Sequence, residues 1–170
     1  MGKFKEAMFA GGCFWCVSKP YYEYDGVIKV YSGYAGGTEV NPTYEEVKSG
    51  KTSHRETILI IYDPNIISYD ELLDIYLDTI DPFDSEGQFI DRGFNYTCAI
   101  FTDDEEEIKL STMKIKNIEK LNNTITYIPI LPKPIFYMAE EYHQDYAIKN
   151  PEEMEEELIM SGRKKIQKLN

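Results

Sequence analysis

At 170 residues, with 42% hydrophobic and 28% charged content, the chain has the size and balance of one soluble domain that buries its own core, and residues 1–170 are read as one such unit. A formal net charge of −12 repels phosphate backbones, and no basic patch interleaved with aromatics occurs, so a nucleic-acid partner is not expected. No signal-peptide pattern opens the chain, no apolar stretch nears the ~20 residues needed to cross a bilayer, and the few cysteines do not make a disulfide scaffold; no membrane association and a reducing cytoplasm are expected.

In chain order, the spacing predicts a strand over residues 4–10, a sharp turn at Gly11-Gly12, and a helix from Phe14 towards Tyr24 with Pro20 inside it. A second strand over 27–34 ends at Gly36-Gly37. Thr43-Tyr44-Glu45-Glu46 has the form of a capping box and starts a short helix through Lys48. Residues 54–63 read as a partly buried strand, and Ser68-Tyr69-Asp70-Glu71 opens a helix with Leu72, Leu73, Ile75, Tyr76 and Ile80 at helical spacing. A loop over 81–93 and a strand over 94–101 follow. A helix begins in the acids at 103–107, with an apolar face of Ile108, Met113, Ile115, Ile118 and Leu121. Residues 124–130 read as a strand and 138–148 as helical. From Pro151 the chain is a charged, helical tail, acid first and base last. Strands and helices that interleave in this way imply an α/β (α+β) two-layer sandwich.

The chemistry concentrates at Ala10-Gly11-Gly12-Cys13-Phe14-Trp15-Cys16. A thiol at a helix start meets unpaired N–H groups and the positive end of the helix dipole, so a depressed pKa and a reactive thiolate are expected at Cys13. Phe14 and Trp15 place apolar faces beside that sulfur, which fits a substrate with a small greasy part. Cys13 and Cys16, three apart, share one face of the first turn and are close enough for a disulfide. On spacing alone three readings stay open: two small core residues, half of a zinc site completed by Cys98, His54 or His143, or a thioredoxin-like dithiol exchanging with disulfides.

Gly11-Gly12-Cys13-Phe14-Trp15 resembles the active-site signature of the peptide methionine sulfoxide reductases of the A type. Further segments are similar to that family in the right order: Ser32-Gly33-Tyr34-Ala35-Gly36-Gly37, Asn41-Pro42-Thr43-Tyr44-Glu45-Glu46, His54-Arg55-Glu56, Asp91-Arg92-Gly93 with Asn95-Tyr96, and Glu140-Glu141-Tyr142-His143-Gln144. The series runs from Phe4 to Pro151 and leaves 151–170 as a divergent tail. The resemblance implies a ferredoxin-like core, no bound cofactor, and thiol-dependent reduction of methionine (S)-sulfoxide, free or in oxidised proteins, with electrons from thioredoxin or a laboratory dithiol such as dithiothreitol. It implies Cys13 as nucleophile and Glu56 as the acid that protonates the sulfoxide oxygen. Tyr44 and Tyr96 would donate hydroxyls to that oxygen, Phe14 and Trp15 would hold the methyl group, and Asp91 would orient the substrate backbone. His143 is carried over with the substrate-binding residues.

The chemistry asks for these groups independently. A sulfoxide sulfur is a poor electrophile until its oxygen is protonated or strongly hydrogen-bonded. Burial at the start of an apolar strand would keep Glu56 protonated near neutral pH. Attack by Cys13 leaves a sulfenic acid that a second thiol must resolve. Many family members keep that thiol in a C-terminal tail, whereas here no cysteine follows Cys98. Cys16 is the expected resolver because of its i+3 placement. Cys98 is its rival: two residues beyond Tyr96 on one strand, it would face the same way. A one-cysteine cycle closed by an external thiol is the third route.

Overall fold

The computed structural model describes residues 3–163. In chain order its strands are β1 (Lys5–Gly11), β2 (Val27–Ala35), β3 (Arg55–Tyr62), β4 (Gly87–Gln88), β5 (Asp91–Arg92), β6 (Cys98–Phe101), β7 (Ile130–Leu131) and β8 (Phe136–Met138). Its helices are α1 (Phe14–Ser18), α2 (Tyr44–Lys48), α3 (Tyr69–Thr79), α4 (Glu105–Asn122), α5 (Tyr146–Lys149) and α6 (Pro151–Ser161). Six strands form one sheet in the order β7-β6-β1-β3-β2-β8, antiparallel throughout except where β7 joins β6, while β4 and β5 make a separate hairpin. The four long strands, with α1 and α3 as crossovers, follow the β-α-β-β-α-β order with β1 and β3 central. This is the expected two-layer α/β fold with its ferredoxin-like core.

Alternation along β1 sets the layers. Ala7 and Phe9 enter the main core with Tyr21, Leu72, Leu73 and Tyr76, whereas Met8 and Ala10 face the other side with Ala35, Ala99 and Phe101. Phe9 stacks on Tyr76 with ring centroids 4.7 Å apart, and the Tyr76 hydroxyl donates to Ala10 O at 2.6 Å. That contact ties α3 to the end of β1, immediately before the chain turns through Gly12 at φ +89° into α1. Both sequence-predicted capping boxes form: Thr43 Oγ1 accepts from Glu46 N and Ser68 Oγ from Glu71 N, and each glutamate reaches back to its cap residue's N–H.

Several boundaries differ, each for a local reason. The first helix stops at Ser18 and continues only as a 3-10 turn over Lys19–Glu23, because Pro20 has no N–H to extend the α ladder. Residues 94–96 form a 3-10 turn rather than strand, so β6 begins at Cys98. Within the expected loop over 81–93 lies the β4–β5 hairpin, pinned by the Gln88 side chain to both backbone groups of Asp81 at 2.8 Å. Of the expected 124–130 strand only Ile130 pairs, with Leu131 just beyond it, at the edge. The expected 138–148 helix is interrupted: Gln144 turns its amide onto Ser32 N and O of β2, and Asp145 adopts φ +55° before α5. In α4, Met113 and Leu121 of the expected apolar face are 60% and 76% exposed, since the helix seats on Leu110, Ser111 and Ile115.

The tail is not a solvated appendage. Met154 and Leu158, one turn apart on α6, pack with Cys13, Cys16 and Ala147 in a small cluster of their own. Arg163 is 1% exposed rather than a cation facing water at a helix end, and the remaining basic residues of the expected run lie outside the described residues.

Candidate active site

A cavity of about 160 Å³ opens where the start of α1 meets α2, β3 and the β4–β5 hairpin. Cys13, Phe14, Trp15, Tyr44, Glu56, Asp91 and Tyr96 all line it, so seven of the nine sequence-predicted residues converge on one space. Cys16 lies directly behind Cys13 in the cluster with Met154 and Leu158. His143 does not reach the cavity wall. It is 1% exposed behind that wall, with ring centroids 5.1 Å from Phe14, 5.5 Å from Trp15 and 4.4 Å from Tyr44. Both of its nitrogens are buried without a partner among the described residues, and burial pushes its pKa below the ordinary value against the opposing pull of Glu140.

Glu56 sits at the second position of β3, opposite Tyr34 of β2, and is 2% exposed. Its Oε1 accepts from Phe14 N at 3.1 Å, so the first free N–H of α1 is satisfied by a carboxyl from another strand. Burial raises the Glu56 pKa well above the usual carboxylate range, and the neighbouring Cys13 raises it further. The carboxyl is therefore held protonated beside the sulfur. Tyr44 and Tyr96 are likewise pushed up, first by burial and then by Glu56, so their hydroxyls stay proton donors.

Cys13 departs from expectation. It occupies the N-cap of α1, but its hydrogen bond to the Cys16 thiol and its burial raise its pKa well above the free-thiol value, with Asp91 adding to the rise. The dipole of a five-residue helix is small, and its first N–H is already taken by Glu56. The predicted depressed pKa is overturned: the resting group is a thiol. Asp91 is also raised, mainly by burial and additionally by Glu157, while Arg163 holds it down. Its Oδ2 is buried and lacks a partner among the described residues.

Behind the wall the aromatic groups are fixed. Trp15 stacks on Tyr146 of α5 with centroids 3.8 Å apart and planes at 10°. Glu140 accepts from Tyr44 N at 3.0 Å and from the Tyr34 hydroxyl at 2.9 Å, tying the start of α2 to β2. Cys98 lies elsewhere. It pairs in register with Gly11 inside the main core, and burial pushes its thiol up to about 12. Because Tyr96 is in the turn before β6, the shared-face argument that made Cys98 a rival does not hold.

Lys48 and Glu157 also line the cavity and were not singled out from the sequence. Lys48 was findable, being one turn beyond Tyr44 on a capped helix and thus on its face. Glu157 had no local signal beyond the Met154/Leu158 spacing that seats α6. Among the described residues no group of three or more His, Cys, Asp or Glu side chains is placed to hold a metal ion, and no helix is long and apolar enough to cross a membrane.

A family model described as peptide methionine sulfoxide reductase matches residues 5–170, past Pro151 where the sequence motifs stop. The peptide methionine sulfoxide reductase MsrA of Bacillus licheniformis is 48% identical over 159 residues, spanning 92% of this chain and 88% of its own. That of Halalkalibacterium halodurans is 45% identical over 163 residues, spanning 95% and 93%. Among solved structures, Mxr1 from Saccharomyces cerevisiae in reduced form superposes with a TM-score of 0.78 at 32% identity, covering 88% of this chain and 87% of that one. Methionine sulfoxide reductase A of Corynebacterium diphtheriae gives a TM-score of 0.78 at 30% identity, covering 87% and 76%.

Proposed function

The chain belongs to the peptide methionine sulfoxide reductase family, and on that premise we propose that it reduces methionine (S)-sulfoxide, free or in oxidised proteins, to methionine by thiol chemistry at Cys13. The observation that carries this reading is the buried Glu56 carboxyl, hydrogen-bonded to Phe14 N beside Cys13 in one small cavity. A thiol and a protonated acid are the two groups that sulfoxide reduction requires. Plain dithiol exchange breaks no S–O bond and so calls for no acid aimed at an oxygen.

Cys13 Sγ attacks the sulfoxide sulfur while Glu56 passes its proton to the sulfoxide oxygen, with Tyr44 and Tyr96 donating hydrogen bonds to it. The proton of the Cys13 thiol reloads Glu56. The protonated oxygen passes from the methionine sulfur to Cys13 Sγ as the S–O bond and the new S–S bond break, so methionine leaves with its sulfur reduced by two electrons and Cys13 is oxidised to a sulfenic acid. Since Cys13 rests as a thiol, its deprotonation accompanies attack rather than preceding substrate. The methyl group lies against Phe14 and Trp15, whose rings His143 supports from behind, and the buried free oxygen of Asp91 receives a substrate backbone N–H.

Cys16 then attacks the sulfenic sulfur, a disulfide forms and water leaves. An external dithiol, thioredoxin in the cell and dithiothreitol in the assay, returns both thiols. The three free cysteines fit a reducing cytoplasm. No prosthetic group enters this cycle. Residues 1–170 act as one catalytic domain, since α6 closes over both active cysteines. Incubation with separated sulfoxide epimers and dithiothreitol tests the reading: methionine should form from the S epimer and not after Cys13→Ser. Absence of methionine from both epimers, or activity surviving that substitution, removes it.

A further inference from the structure

Arg163 is a large, fully buried cation with no role in that cycle. It follows Gly162, which ends α6 in the left-handed conformation at φ +86°, so the chain turns back and sends the side chain inward. One guanidinium nitrogen, Nη2, donates to Gly11 O at 2.8 Å, and Nη1 donates to Thr79 O at 3.0 Å, linking the end of β1 to the end of α3. Its plane covers the Phe89 ring at 4.6 Å, in the turn between β4 and β5. Gly12 is tailored to it: a Cβ there would lie 2.6 Å from Nη2 and 2.7 Å from the Gln88 Cβ.

Among the described residues no acid forms an ion pair with Arg163, and its Nε is buried without a partner. Burying a cation on carbonyls alone costs several kcal/mol relative to an apolar side chain of the same shape, so packing does not account for the charge. The charge acts on Asp91, which opens the second strand of the hairpin it grips, and also on the Cys98 thiol behind it. Glu157 from α6 is the other charge that bears on Asp91, and it opposes Arg163. Cys13, Glu56, Tyr96 and the Lys48 ammonium share the cavity with them.

We propose that Arg163 is a positioning residue for the reduction step: its fork fixes the Gly11-Gly12 turn that aims Cys13, and its grip on the β4–β5 hairpin at Phe89 holds the Asp91 carboxyl where it meets the substrate. This rests on the reading of Asp91 as the substrate-orienting group. The tail residue thus acts on the site from behind, through two backbone segments and one field.

Single-turnover methionine release by the full chain, followed against pH, tests the proposal in wild type, Arg163→Met, Arg163→Lys, Asp91→Asn and the Arg163→Met/Asp91→Asn double variant. Wild type is measured first, and no methionine there sinks the sulfoxide reading itself. Given wild-type release, Arg163→Met should slow the neutral-pH rate by about tenfold to a hundredfold, as a displaced nucleophile does. Its acid limb should move to higher pH, because a carboxylate deprived of its cation takes up a proton sooner. In the Asp91→Asn background that limb has nothing to move, so the two losses should fall short of additive. Arg163→Lys should restore the limb while the rate stays low, since an ammonium lacks the two-nitrogen fork. An unmoved limb with additive losses, or a wild-type rate in Arg163→Met, overturns the proposal. Should Arg163→Met fail to fold, Arg163→Lys decides: a shifted limb or a wild-type rate overturns it, and a slowed rate on an unshifted limb upholds it.

Discussion

Cys16 and Cys98 are equally hidden, each 1% exposed, yet they sit in different company. Cys16 shares a small cluster with Cys13, Met154 and Leu158, and its thiol is hydrogen-bonded to that of Cys13. Cys98 is held in the sheet opposite Gly11, between β1 and β7, with its thiol pushed up to about 12 by burial. Joining Cys16 to Cys13 requires loosening one turn of a five-residue helix. Joining Cys98 requires opening a ladder that every other central strand leans on. Burial therefore does not rank thiols for redox work, whereas the cost of the motion that unites them does.

The largest expected effect breaks this comparison directly. Cys16→Ser should abolish turnover with thioredoxin while leaving one stoichiometric round of methionine release, and Cys98→Ser should keep turning over. Mass mapping after a single round in wild type should find the disulfide between Cys13 and Cys16. The opposite pattern for the two variants would move the second step to Cys98, and release without any disulfide would point to a one-cysteine cycle.

Next in size is the acid. Glu56→Gln keeps the shape and an acceptor for Phe14 N but has no proton to give, so single-turnover methionine release should slow by about 10²–10⁴-fold. The sign of the pH dependence follows from the raised Glu56 pKa. The active form is the protonated one, present below that pKa and lost as pH rises through it, so wild type should stay active at neutral pH and fall off in alkali. In Glu56→Gln the alkaline fall due to this group should vanish. Rates for wild type and variant from pH 6 to 10 measure both effects, and an alkaline limb that survives unchanged in Glu56→Gln would assign it to another group.

How much of this was legible depended on how local the cause was. Capping boxes at Thr43 and Ser68 are four-residue events, and both formed as read. The gathering of Cys13, Tyr44, Glu56, Asp91 and Tyr96 was legible because ordered motifs resembled a family, not because spacing alone joined them. What failed was set by distant partners. The thiol environment of Cys13 depends on a carboxyl from β3 that occupies the helix N-terminus and on α6 that dries it. The tail read only as a charged helix, acid first and base last, yet Met154 and Leu158 seat it against the two cysteines and Arg163 is held by two carbonyls from elsewhere.

The smallest effect sharpens the comparison that the two thiols pose. Cys16→Ala and Cys98→Ala each remove one buried sulfur, so each should destabilise the fold by roughly 1–2 kcal/mol, the usual range for shaving a core side chain. For a chain of this size that corresponds to a melting shift of about 2–8 °C. If stability governed turnover, the two variants would lose activity together. On the present reading they are matched in stability and opposite in thioredoxin-dependent turnover, because only one of the two sulfurs lies where a helical turn can deliver it to Cys13. Calorimetry and a turnover assay on the same two preparations separate these outcomes. Parallel loss of activity would show that the local packing around each thiol, rather than its reach, is what the cycle needs.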